Sequence, residues 1–108
     1  MNTEDLWLIL DTERRTVNIQ QLPLSFTHDL QLYIANLELD INGKEELHTA
    51  RRRVVNLIQR RQGKIVKLAV ANAKMPGSLL WMEKAFFEQI REAGAAFEEC
   101  VLKELNGK

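Results

Sequence analysis

Cysteine occurs once in this 108-residue chain, at Cys100, so no intrachain disulfide can form. A lone thiol fits a reducing compartment. With Val101 and Leu102 beside it on a helical pattern, Cys100 is expected to be a small buried hydrophobe rather than a reactive thiol. Proline (2) and glycine (5) are scarce, which excludes an all-β sandwich with its frequent turns. No apolar run is long enough to span a membrane. The acidic start, Glu4-Asp5, is the wrong charge for a signal peptide. Repeats and low-complexity tracts are missing too. These absences describe a soluble protein of the cytoplasm, or of the nucleus if the source is eukaryotic.

What is present is ordinary for one globular domain: 45% apolar and 28% charged residues rule out disorder. Fifteen basic and fifteen acidic side chains cancel, so net charge points to neither nucleic acid nor membrane. The distribution is uneven. Residues 1–43 carry a net charge of −5, residues 44–74 a net +7, and the remainder a net −2.

Apolar spacing predicts an all-α, four-helix domain, with helices over about 4–14, 25–41, 45–73 and 79–105. Thr3 is the expected cap of the first, whose apolar side is Leu6, Trp7 and Leu10. Residues 16–24, with Pro23, read as an extended linker. Ser25 should cap the second helix, in which Phe26, Leu30, Tyr33, Ile34, Leu37 and Ile41 share a face. Asn42-Gly43 should stop it through left-handed geometry. Leu47, Val54, Ile58, Ile65 and Ala69 stripe the third helix, which should pass through Gly63. After the turn Lys74-Met75-Pro76-Gly77-Ser78, the fourth helix is striped by Leu79, Met82, Phe86, Ile90, Ala93, Phe97 and Cys100. Asn106-Gly107 should end it. The short connection predicts that the two long helices form an antiparallel hairpin. Two short helices cannot cover such a rod, so apolar surface should remain for a partner. Trp7, Leu79, Met82, Phe86 and Phe87 are the candidate interface residues.

Chemistry-bearing patterns are few. His28 and His48 lie on different predicted helices, with no second ligand at metal spacing. Nucleophile elbows, glycine-rich phosphate loops and zinc-protease motifs do not occur. The acidic pairs Glu45-Glu46, Glu98-Glu99 and Glu38/Asp40 sit at helix ends or on polar faces, where solvated charge is the usual role. No enzyme, metal or cofactor is expected. The third helix is more informative. At about 100° per residue, Arg53, Arg60, Lys64 and Lys67 line one basic stripe beside the apolar face. That stripe could be a solvated flank, a dock for an acidic partner or a phosphate contact, although no aromatics interleave it for base stacking. Arg61 falls inside the apolar arc. It must therefore meet a carboxylate or backbone carbonyls, either from the second or fourth helix or across a subunit interface.

Several segments resemble the GINS family of replication proteins. Leu6 to Arg14, then Leu22-Pro23, Phe26, Asp29-Leu30, Tyr33-Ile34 and Leu37-Glu38, look like its opening pattern. Ala50-Arg51-Arg52, followed by Arg60-Arg61, Gly63-Lys64-Ile65-Val66 and Leu68-Ala69, is similar to the long helix of its A domain. Glu83 and Phe86-Phe87 look like the last A-domain helix. The resemblance covers nearly the whole chain and implies a non-catalytic scaffold. By that resemblance the partners would be other GINS subunits, in a homo- or hetero-oligomer such as a tetramer, together with the MCM helicase and a DHH-type replisome partner. Direct DNA contact would be weak or absent. The order looks like the A-then-B class and archaeal; that class carries a small C-terminal β domain, which residues 1–108 do not include, either because the sequence is a piece of a longer chain or because this subunit lacks the domain. Two other expectations stand beside it: a small helical nucleic-acid-binding module using the basic stripe, and an unrelated helical oligomer.

Overall fold

The computed structural model describes residues 1–107 and is all-α: α1 (Thr3–Arg15), α2 (Phe26–Leu39), α3 (Lys44–Val70) and α4 (Trp81–Leu105). No described helix is long and apolar enough to cross a membrane. The helix ends follow local chemistry, in part differently from expectation. Asn2, not Thr3, caps α1: its Oδ1 accepts from the Asp5 N–H at 2.8 Å, while the Asp5 carboxylate accepts from the Asn2 N–H at 3.1 Å. Thr3 is thereby free to receive a guanidinium, and Arg53 Nη1 donates to both its carbonyl and its hydroxyl at 3.0 Å.

At Ser25 the hydroxyl donates to the Asp29 carboxylate at 2.8 Å instead of capping backbone. α2 ends at Leu39, leaving Ile41 outside the helix and exposed. Left-handed geometry is not what stops it. Neither Asn42 nor Gly43 has a positive φ. Gly43 is required for room: a Cβ there would lie 2.8 Å from the Leu37 carbonyl oxygen.

α3 runs unbroken through Gly63 but stops at Val70, three residues short of the expected end. Asn72 takes a φ of 57°, the Asn72 N–H donates to the Ala69 carbonyl, and the Ala73 N–H donates to the Leu68 carbonyl, both close to 3 Å. This is a Schellman ending with asparagine in the glycine position. α4 begins at Trp81, two residues later than expected, and Glu83 rather than Ser78 closes its start by accepting the Leu80 N–H at 2.8 Å. At the other end, Gly107 adopts a φ of 69°, as the Asn106-Gly107 stop requires.

The largest correction concerns direction. Arg61 meets Glu83, Ile65 and Ala69 pack with Phe87, and Ala69 to Asn72 line one cavity with Arg91 and Gly94. The sequence offset across these pairs is nearly constant, so α4 runs parallel to α3, not antiparallel. α1 also runs parallel to α3, pairing Thr3 with Arg53 and Glu13 with Arg61. The antiparallel hairpin is α2 with α3, joining Tyr33 and Leu37 to Ala50 and Phe26 to Leu57. The expectation failed because the five-residue turn is only the middle of a longer connection. Eight residues, 73–80, can span up to about 26 Å, ample to return along α3 to the level of Arg61.

Consequently α1 covers the first part of α3, α4 covers the last part, and α4 then continues past the end of α3. The body is a rod of 65 × 22 × 21 Å. Three apolar clusters follow one another along it. Leu6, Tyr33, Leu37 and Ala50 form the first, and Leu10, Leu22, Phe26 and Leu57 the second. In the third, Ile19 and Leu79 bring the two linkers together over Ile65, Ala69 and Phe87. The linkers are therefore core-forming, which the plain extended reading of residues 16–24 did not convey.

Candidate functional site

The most concentrated polar chemistry lies at mid-rod, where α1 ends and α4 begins. Arg61 is buried there at 2% exposure, on the α3 line Ala50, Leu57, Arg61, Ile65, Ala69. Its guanidinium has five N–H donors, and five acceptors surround it. Nε and Nη2 fork onto the Glu83 carboxylate at 2.7 and 2.8 Å. Nη1 donates to Glu13 Oε1 at 2.8 Å and the Gln20 carbonyl at 2.9 Å, and Nη2 reaches the Ser78 carbonyl at 3.3 Å. Glu13 is itself fully buried and also receives Lys64 Nζ and Gln20 Nε2. Lys64 further donates to the Glu13 and Asn18 carbonyls.

Electrostatics follow from this wiring. Burial pushes the Glu13 carboxyl up, but hydrogen bonds from Lys64, Arg61 and Gln20 outweigh it and hold Glu13 below the ordinary glutamate range. For Arg61, burial pulls downward and the bonds to Glu83 and Glu13 prevail upward, so it stays charged. The cluster is saturated and enclosed. What it does is tie α1, both linkers and α4 to one point of α3.

The pairing of Arg61 is intramolecular, with the fourth helix as one partner and the first as the other. Glu13 was not singled out in the sequence, nor was Glu83 as a partner, although both carry a signal. Glu13 continues the Leu6, Leu10 spacing, and Glu83 stands midway between Leu79 and Phe87. Each is an acid on an apolar stripe, the same anomaly that exposed Arg61.

The expected basic stripe does not survive as a unit. Arg53 is held by Thr3 and Lys64 by Glu13, while Arg60 and Lys67 are exposed. Arginines gather elsewhere, in an open groove between α1 and α3 where Arg14, Arg51 and Arg52, together with His48, surround Trp7 and Val55. Only Arg51 among these has an acidic neighbour, Glu38 at 3.7 Å on the exposed surface.

The candidate interface residues divide. Leu79 and Phe87 are core, at 6% and 0% exposure, because the returning linker and the α3-facing side of α4 bury them. Phe86 is half-buried beside Ile58. Trp7 and Met82 are exposed, as is Trp81. Ile58, expected in the core, is 56% exposed, since Leu57 and Arg61 take the inward line. Cys100 is exposed, not buried: it lies where α4 has outrun α3. Among the described residues no group of three or more His, Cys, Asp or Glu could hold a metal ion. Comparison with protein-family models, curated proteins and solved structures found no match.

Proposed function

We propose that this chain is a non-catalytic assembly module, a scaffold subunit of the GINS DNA replication complex that supports the MCM helicase. The resemblance of its helices supplies the family. The observation that carries the assembly role is the overhang of α4. Residues 95–105 are exposed throughout, among them Phe97, Val101, Leu102 and Leu105. A helix gains most of its stability in a protein by burying an apolar face, and this stretch has no face to bury within the chain. A contiguous exposed apolar surface of this kind suits a protein partner. The Arg61 cluster supports the same role, because its groups are spent on holding helices rather than left free for a substrate.

Affinity isolation of the full chain from its native cells, with nuclease treatment, tests the proposal. GINS-type subunits or MCM subunits should be recovered. Recovery of neither, or loss of every partner on nuclease treatment, would refute it. The groove around Trp7 favours a second role, a small helical nucleic-acid-binding module, with Arg14, Arg51 and Arg52 as phosphate contacts in place of the expected stripe. Titration with duplex DNA separates the two. A scaffold should bind no better than about 10⁻⁴ M at physiological salt, the weak end of non-specific affinity. Tight, salt-sensitive binding lost in Arg51→Glu/Arg52→Glu would establish the second role instead.

A further inference from the structure

The groove between the parallel helices α1 and α3 joins charge to apolar surface. Trp7 and Arg14 face it from α1, two turns apart and so on one side of that helix. Arg51, Arg52 and Val55 face it from α3. Trp7 is 41% exposed and Val55 53%, while buried Leu10 closes the floor between them. Among the described residues that line the groove, none is acidic. Arg53 adds a further cation to the wall, and the Thr3 oxygens that hold it are neutral, so its charge is not cancelled. The contact of Arg51 with Glu38, at 3.7 Å between two exposed side chains, is a weak one.

We propose that this groove docks an acidic amphipathic helix of another protein, with its apolar side chains on Trp7 and Val55 and its carboxylates on Arg14, Arg51 and Arg52. The inference rests on the assembly role proposed above and gives that role a second contact surface.

Charge, length and composition choose this occupant. Residues 44–74, with their net charge of +7, supply the α3 wall, so an acidic partner is steered towards it. The α3 lining runs from His48 to Gln59, about 17 Å at 1.5 Å per residue, which is three turns of a guest helix. A guest helix repeats its side chains every three or four residues, the spacing of Arg52, Val55 and Gln59 along the wall. Arginine forks a carboxylate with two parallel N–H donors. Tryptophan and arginine are also the residue types that dominate binding energy once a partner shields them from water. Nucleic acid matches the groove less well. Phosphates would meet the arginines but leave Trp7 and Val55 without apolar contact. A single strand needs successive aromatic platforms, and of the described lining only Trp7 offers an indole or phenyl face.

The test uses the full chain and a peptide of glutamate and leucine, about four turns long, with its leucines spaced three and four apart. By anisotropy of the fluorescein-labelled peptide, Kd should lie between about 1 and 100 μM at physiological salt. In a Trp81→Phe background the unlabelled peptide should shift the emission of Trp7, the remaining indole, to the blue as that ring leaves water. Arg51→Glu/Arg52→Glu and Trp7→Ala should each weaken binding at least about 30-fold, the order expected of central anchors. All three residues are exposed, so far-UV circular dichroism of these variants should keep the helical spectrum. Lys67→Glu/Lys84→Glu, an equal change of charge outside the groove, should alter binding less than about threefold, since salt screens distant charges. Binding no tighter than about 100 μM, equal binding of a peptide with glutamine for every leucine, an unmoved Trp7 emission, or indifference to the groove variants would each overturn the inference. Tighter binding of a single-stranded DNA oligonucleotide would overturn it in favour of nucleic acid. None of these outcomes decides whether GINS or MCM subunits are recovered from cells, so the two proposals fail separately.

Discussion

Replacing Arg61 by alanine is the sharpest perturbation of the fold. The substitution removes five donors at once and leaves the Glu83 carboxylate, 14% exposed, with only the Leu80 N–H. Glu13 keeps Lys64 and Gln20, so its charge is not stranded. Breaking a buried ion pair from one side costs about 3–5 kcal/mol. A domain of this size has roughly 5–15 kcal/mol in total, so the variant should lose about a fifth of its stability or more. Urea unfolding followed by far-UV circular dichroism and by tryptophan fluorescence measures the loss. Arg61→Lys should recover little, because one ammonium cannot fork Glu83 and reach Glu13 together. Arg60→Ala, one residue away on the exposed side, should stay within about 0.5 kcal/mol. In the Arg61→Ala background, removing Glu83 should cost less than it does in wild type, with a coupling of about 1.5 kcal/mol or more. A loss below about 1 kcal/mol for Arg61→Ala, or additive effects of the two substitutions, would refute the account of this cluster as the clasp of the fold.

The same cluster sets the acid limit. Because the folded-state pKa of Glu13 is lowered, its contribution is present above the ordinary value of 4.5 and is lost as pH falls through the folded value; Glu13→Gln should flatten this acid limb in pH-dependent unfolding. Gly63→Ala should stabilise by up to about 1 kcal/mol, since the residue is mid-helix with open space around it, as thermal unfolding would show. Gly43→Ala should do the reverse by about 1–3 kcal/mol, because its Cβ would meet a backbone carbonyl at 2.8 Å. Tyr33→Phe should be neutral or stabilise by up to about 1 kcal/mol in the same assay, as the buried Tyr33 hydroxyl has no hydrogen-bond partner among the described residues.

Periodicity in the sequence determined that there are four helices and nearly where each lies, because the 3.6-residue repeat is a local property that burial enforces on any helix with an apolar side. It also marked Arg61 as buried and paired, since a cation within an apolar arc has no cheaper state. Helix direction was beyond it. The stripe of α4 looks the same whichever way the helix runs, and only the return of residues 73–80 along α3, with the Ser78 carbonyl and Glu83 both held by Arg61, makes it parallel. The handedness of Asn72, the room at Gly43 and the capture of Arg53 and Lys64 by α1 likewise depend on neighbours distant in sequence or on backbone geometry. So does the exposure of Phe97 and Cys100. They carry a core-like pattern, but a pattern buries a residue only where a second element reaches it, and α3 ends first.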